Sequence, residues 1–213
     1  MTRAVLFDVD GVLMHGWHTR EDRRRRWDVH LKDDLGVDPA DFYEQFIRTR
    51  FISEVLNGRR SLIAELEEVL PRIGYRGSPM NFAAYWLQRD AQLNHPLLDA
   101  IRQLRASGKV GKLYIASNQE HLRALHLWSA LGLQHLFDDI FYAARLGASK
   151  PDRGFFEDVA KRIGPQAEPP LLFDDHDAVV DAARAFGWEA VIYNDLEDFT
   201  THPWVAERIS SSQ

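Results

Sequence analysis

The chain has 213 residues, enough for one α/β domain with a full core or for such a core carrying a smaller inserted unit. Hydrophobic residues make up 45% of it, which excludes a disordered chain, and the formal net charge of −6 argues against nucleic acid or an anionic membrane as partner. Cysteine is absent, which excludes disulfides, thiolate zinc sites and cysteine nucleophiles; with no signal-peptide pattern and no apolar run near the roughly 20 residues of a membrane span, a cytoplasmic protein is expected.

The first element is a short apolar run, Ala4 to Phe7, which predicts a buried parallel strand. Asp8 and Asp10 follow at its carboxyl end, the edge of an open α/β sheet where ligands bind. Two carboxylates beside an apolar strand are costly to bury unless a cation or a proton is shared with them. Gly11 permits a sharp turn next to them. From about Gly16 to Asn94 the periodicity is helical, with no convincing strand. Asp38 and Ser78 are predicted helix caps, each followed by a proline at the first helical position, and Ser61 is a third cap. This block reads as an all-helical insertion, with crossings near His15-Gly16 and Asn94-Pro96.

The α/β rhythm then resumes. A helix from Leu97 to about Gly108 precedes a strand over Leu113 to Ala116. A helix carrying Leu122, Leu125, Trp128 and Leu131 precedes a short strand from Ile140 to Ala143. A helix around Phe156 to Ile163 precedes a strand over Leu171 to Phe173. A helix from Val179 to Phe186 precedes the last strand, Ala190 to Tyr193. This alternation implies right-handed crossovers and a parallel sheet covered on both faces. Beyond Phe199 the pattern is weak.

Polar groups recur at the strand ends. Ser117-Asn118 stands at the start of a helix, where a hydroxyl and free N–H groups make an anion site. Lys150-Pro151 lies in the loop after the short strand, and Asp174-Asp175 ends the strand at Leu171. A hydroxyl, an amide, an ammonium and two carboxylate pairs therefore converge on one rim. That set suits attack by a carboxylate on a phosphate neutralised by a lysine and a divalent cation.

Four motifs in this order, Asp8-Val9-Asp10-Gly11-Val12, Ser117-Asn118, Lys150-Pro151 and Asp174-Asp175, resemble the haloacid dehalogenase (HAD) superfamily with a helical (C1-type) cap, close to its subfamily IA phosphatases. The resemblance implies a three-layer Rossmann-like α/β core over residues 1–15 and 95–213, with a helical cap over 16–94. It implies Asp8 as nucleophile forming an aspartyl-phosphate. Asp10 would be general acid and base, its backbone carbonyl a ligand of Mg²⁺. Asp8 and Asp175 would be further metal ligands, and Asp174 would act partly through water. Ser117, the Asn118 amide and Lys150 would hold the phosphoryl group. Gly58 and Leu62 resemble a cap signature of sugar-phosphate phosphatases and of the epoxide-hydrolase N-terminal phosphatase, and Arg59 or Arg60 would reach the substrate from the cap.

The resemblance thus implies a Mg²⁺-dependent hydrolase of a small phosphomonoester, of the sugar-phosphate or nucleotide class, acting as monomer or homodimer. Asp10 favours phosphatase over dehalogenase, because a halide leaves without a proton and an alkoxide does not. A phosphomutase, a dehalogenase and a catalytically inactive binding module are the rival readings. Val179 and His176 depart from the common pattern after the acidic pair. His15 and His176 are weaker candidates for substrate contact. Arg23 to Arg26, flanked by acidic residues, read as a solvated helix face, and the tryptophans as packing residues.

Overall fold

The computed structural model describes residues 3–209. Five parallel strands form one sheet: β1 (Val5–Phe7), β2 (Leu113–Ser117), β3 (Asp139–Tyr142), β4 (Leu171–Asp174) and β5 (Glu189–Ile192), in the order β3-β2-β1-β4-β5. The first strand is thus central, and the order reverses on either side of it. Phe7 is in register with Ile115 on β2 and with Phe173 on β4. This puts Asp8 level with Ala116 and Asp174 on the carboxyl rim, with Ser117 one residue further along β2.

Alternation along the strands builds the two flanking layers. Val5 and Phe7 join Leu113, Ile115, Leu171 and Phe173 in one hydrophobic cluster with the helix His95–Ala106. Ala4 and Leu6 join Ala116 and Leu172 on the other face, under the helices Arg153–Ile163 and Asp177–Phe186. Phe7 stacks on Phe173 at 5.5 Å, and both pack against Phe199, at 5.6 and 5.2 Å. Burying one such side chain stabilises the fold by roughly 1.5–3 kcal/mol, so this group anchors the rim from below. The weakly patterned stretch beyond Phe199 is a helix, Pro203–Ile209; its single buried apolar residue, Val205, gives too little periodicity to read from sequence.

Between β1 and the helix His95–Ala106 the chain forms a helical insertion with a core of its own. Phe42, Phe46, Leu66, Phe82 and Trp86 are buried there, and Trp27 stacks on Trp86 at 5.2 Å. Asp38 accepts from Ala40 N–H at 3.0 Å and Ser78 from Met80 N–H at 3.2 Å, as their cap positions require. Ser61 precedes Leu62–Val69 with no such side-chain bond. The two crossings run side by side. His15 N–H donates to Gln92 C=O at 2.7 Å, Asn94 N–H donates to Leu13 C=O at 2.9 Å, and Met14 forms an antiparallel bridge with Leu93.

Two local expectations fail. Arg23 to Arg26 form no helix face beyond a single turn, Glu21–Arg23. Arg23 donates to Asn194 C=O, and Arg24 Nε donates to His18 C=O at 2.7 Å, so these arginines staple the outgoing crossing. Trp17 is half exposed, its ring facing the Arg24 guanidinium at 5.4 Å, and packs in no core. Among the described residues no helix is long and apolar enough to cross a membrane.

Candidate active site

The loop after β1 sets the first carboxylates. Asp8 N–H donates to Phe173 C=O at 2.9 Å, so the sheet pairing holds Asp8 at the rim. Gly11 then turns the chain at φ 77°; a Cβ there would lie 2.5 Å from Asp175 Oδ2. Only glycine lets this loop and the loop after β4 approach so closely.

Asp8, Asp174 and Asp175 come together: each offers a carboxylate oxygen, and these oxygens lie within 4.8 Å of one another. Lys150 Nζ sits between two of them, 2.9 Å from Asp8 Oδ1 and 2.5 Å from Asp174 Oδ2. All four side chains are buried. Burial pushes the Asp8 carboxyl up to about 6, against the pull of Lys150. Burial likewise raises Asp174 and Asp175, and the neighbouring Asp8 charge raises Asp175 further. Burial opposes the Lys150 charge, but Asp174 and Asp8 outweigh it and hold the ammonium above its ordinary value.

One cation facing three buried carboxylates leaves an excess of negative charge. Asp8 Oδ1 is buried without a hydrogen bond of regular geometry. An all-oxygen donor set with this excess fits a small hard divalent cation. Thr19 donates to Asp175 Oδ2 from its N–H at 2.8 Å and from its hydroxyl at 3.0 Å, which fixes this carboxylate at the rim.

The Asn118 side chain pairs with the Lys150 backbone. Its Nδ2 donates to Lys150 C=O at 2.9 Å, and its Oδ1 accepts from Lys150 N–H at 2.8 Å. This reciprocal pair fixes the Lys150 backbone against the end of β2. Ser117 Oγ accepts from Gln119 Nε2 at 3.1 Å, and the Ser117 hydroxyl lowers the Asp8 pKa, so it faces that carboxylate.

Asp10 lies next to this cluster and is held by Arg123, whose Nη1 and Nη2 donate to Asp10 Oδ2 and Oδ1 at 2.8 and 2.7 Å. Gln119 Nε2 adds a third bond at 2.7 Å. Burial would raise the Asp10 pKa, but Arg123 outweighs it and the carboxyl sits below its usual range. Asp90, which also pairs with Arg123, is pushed up by burial to about 6.

Arg60 is not brought to this cluster. It is half exposed and paired with Glu65, and with Glu68 at 3.3 Å. Arg59 is exposed. His176 accepts from Ala178 N–H at 3.2 Å and so caps the helix Asp177–Phe186. His15 lines a cavity of about 490 Å³ between the outgoing crossing and the loop after β5. Gly58, at φ 70°, packs against the core: a Cβ there would lie 2.6 Å from Ala144 C=O and 3.1 Å from His121 Nε2. Sequence reasoning missed Gln119, Arg123, Thr19 and Asp90. Gln119 and Arg123 carried a readable signal, since they stand just after Ser117-Asn118, Gln119 in the loop and Arg123 in the first turns of the helix His121–Leu125.

The family described as haloacid dehalogenase-like hydrolase matches residues 2–187. Phosphatase MT3486 of Mycobacterium tuberculosis is 31% identical over 208 residues, covering 89% of this chain and 86% of the relative. A HAD-like hydrolase of Porphyromonas gingivalis superposes with a TM-score of 0.72 at 22% identity, over 100% of both chains. A Bacteroides thetaiotaomicron HAD family enzyme, solved as a magnesium complex, superposes with a TM-score of 0.73 at 17% identity, over 94% and 97% of the chains. The four motifs, the sheet order and these matches agree, and the chain belongs to the haloacid dehalogenase-like hydrolase family.

Proposed function

We propose that this hydrolase is a Mg²⁺-dependent phosphatase of small phosphomonoesters, of the sugar-phosphate or nucleotide class, working through an aspartyl-phosphate on Asp8. The observation that carries the reading is the pairing of buried Asp8 with Lys150 Nζ at 2.9 Å inside an acidic cluster that keeps an uncompensated charge. The named phosphatase activity of the mycobacterial relative supports it, as does the magnesium complex of the Bacteroides enzyme.

In this reading an oxygen of Asp8 attacks phosphorus. The ester P–O bond breaks, its electron pair goes to the leaving oxygen, and Asp10 supplies the proton. Water then attacks the phosphorus of the aspartyl-phosphate, Asp10 takes its proton, and Asp8 is released. Lys150, the Ser117 hydroxyl and the Asn118 backbone N–H hold the phosphoryl oxygens, because the Asn118 side chain is engaged with the Lys150 backbone. Asp8, Asp175 and the Asp10 carbonyl would ligate Mg²⁺, with Asp174 behind them; the ion would neutralise the phosphate and so let an anionic nucleophile approach it. Residues 16–94 act as a cap over a core of 1–15 and 95–213, and exclude water while the aspartyl-phosphate forms.

The test is a panel of sugar phosphates, nucleotides and small phosphorylated acids, assayed for phosphate release with Mg²⁺ and with EDTA. Phosphate release that needs Mg²⁺ and is abolished by Asp8→Asn supports the reading. Turnover that survives Asp8→Asn, or halide release from a 2-halo acid without Mg²⁺, would sink it.

A further inference from the structure

Arg123 lies outside the four motifs, yet its guanidinium joins Asp10 to the base of the insertion. The group is largely covered, 11% exposed. Its fork takes both oxygens of Asp10, at 2.8 and 2.7 Å, and the same Nη2 lies 2.8 Å from Asp90 Oδ2. Nη1 also donates to Gln119 Oε1 at 2.7 Å, which turns the Gln119 amide so that Nε2 faces Asp10. Asp90 is the residue that ends the helix Pro79–Arg89, where the insertion returns to the core. Gly16, at the outgoing crossing, closes the group. A Cβ there would lie 2.9 Å from Asp90 Oδ1 and 3.9 Å from Asp10 Oδ1. One arginine thus rises from the core helix into a knot made by Asp10 and both crossings.

A carboxylate offers about four acceptor positions, and three N–H groups already fill most of those on Asp10. The planar guanidinium fixes the plane of the carboxylate as well as its place, which a lysine ammonium cannot do. The fork favours the ionised carboxylate, so what Arg123 supplies is the place and plane of Asp10 and not its proton.

We propose that Arg123 is a positioning residue for Asp10, and that through Asp90 it makes the setting of Asp10 depend on the docking of the insertion. The proposal rests on the phosphatase reading. The step it serves is the transfer of a proton from an Asp10 carboxyl oxygen to the leaving oxygen as the ester P–O bond breaks. An ester with a well-stabilised leaving group needs that proton little; an alkyl ester needs it fully.

The experiment uses the full chain with Mg²⁺ and two probes, p-nitrophenyl phosphate and β-glycerophosphate. The quantity read is kcat/KM, which reports the steps up to ester cleavage. Arg123→Lys is expected to lower kcat/KM for β-glycerophosphate by about tenfold or more, and for p-nitrophenyl phosphate by less than about threefold. Asp10→Asn should show the same split. A second variant, Arg123→Gln with Asp90→Asn, removes a cation and an anion together and so keeps the buried charge balance if Arg123→Lys fails to fold; the same split is expected of it. Equal losses on both probes, or none, in an Arg123 variant while Asp10→Asn splits them would overturn the proposal and leave the phosphatase reading standing. A wild-type chain that hydrolyses neither probe with Mg²⁺ would overturn both.

Discussion

Lys150→Met probes the charge balance of the site directly. Lys150 Nζ lies 2.9 Å from Asp8 Oδ1 and 2.5 Å from Asp174 Oδ2, with all three side chains buried. At an effective dielectric near 20, each contact is worth about 6 kcal/mol before desolvation is counted. Burying the ammonium cancels most of that gain, but deleting it leaves two carboxylates buried beside Asp175 with no cation. The expected net loss is about 3–5 kcal/mol in EDTA at neutral pH. For a chain of this length that is a fall in melting temperature of roughly 10 °C. Because carboxylate repulsion is the cause, Mg²⁺ should return more stability to Lys150→Met than to the wild type, and so should acidification through the Asp8 value of about 6. The sign follows from burial: a carboxyl raised above its unfolded value destabilises the fold as pH rises through the raised value. The assay is thermal denaturation in EDTA and in saturating Mg²⁺, at pH 5 and pH 8. A melting temperature within 1–2 °C of wild type in EDTA at pH 8 would refute the argument.

Gly58→Ala should uncouple the insertion from the core. Its Cβ would meet Ala144 C=O at 2.6 Å at a backbone φ of 70°, and left-handed backbone alone costs about 1–2 kcal/mol for alanine. Phosphatase activity should fall while Mg²⁺ affinity by calorimetry holds, since Gly58 touches none of Asp8, Asp174 or Asp175; unchanged activity would count against the cap reading. Asp138 tests acid stability away from the site. Although partial burial opposes ionisation, Arg105 at 2.9 Å, Lys112 at 2.7 Å and the Leu113 N–H at 3.0 Å depress its pKa from 3.8 to about 2. A depressed carboxyl stabilises above its unfolded value and loses that contribution as pH falls through the folded one, here between about 4 and 2. Asp138→Asn should therefore cost about 1 kcal/mol at pH 7 after solvent screening. It should also flatten the acid limb of a urea-denaturation series; an unchanged limb would refute the assignment.

The core was legible in the sequence because its strands are short, continuous apolar runs ended by chemistry-bearing residues. Phe7, Ile115 and Phe173 had to be buried; Asp8 and Asp174 follow at one level, and Ser117 one residue beyond. What local pattern could not show was the use of each polar group. Nothing in Ser117-Asn118 says that the amide side chain pairs with the Lys150 backbone, since that bond spans 32 residues of chain. Arg60 reads as free to reach a substrate until Glu65 and Glu68, on the helix Leu62–Val69 that follows it, are seen taking its charge. The arginine run at 23–26 reads as a solvated helix face because acidic residues flank it, but its partners, His18 and Asn194, are fixed by tertiary contact. Arg123 was overlooked for the same reason: its meaning lies in Asp10 and Asp90, 113 and 33 positions away.

The two crossings, zipped through Met14 and Leu93 and through the bonds His15 to Gln92 and Asn94 to Leu13, leave the core at adjoining points. A segment attached by two strands that are tied to each other has one axle rather than two loose tethers, so its swing is confined to a single arc. It can also be exchanged wholesale: another insert with the same narrow footing would fit between Leu13 and Asn94 without disturbing a residue of the sheet. Any such exchange would have to resupply Thr19 and Asp90, whose bonds reach Asp175 directly and Asp10 through Arg123.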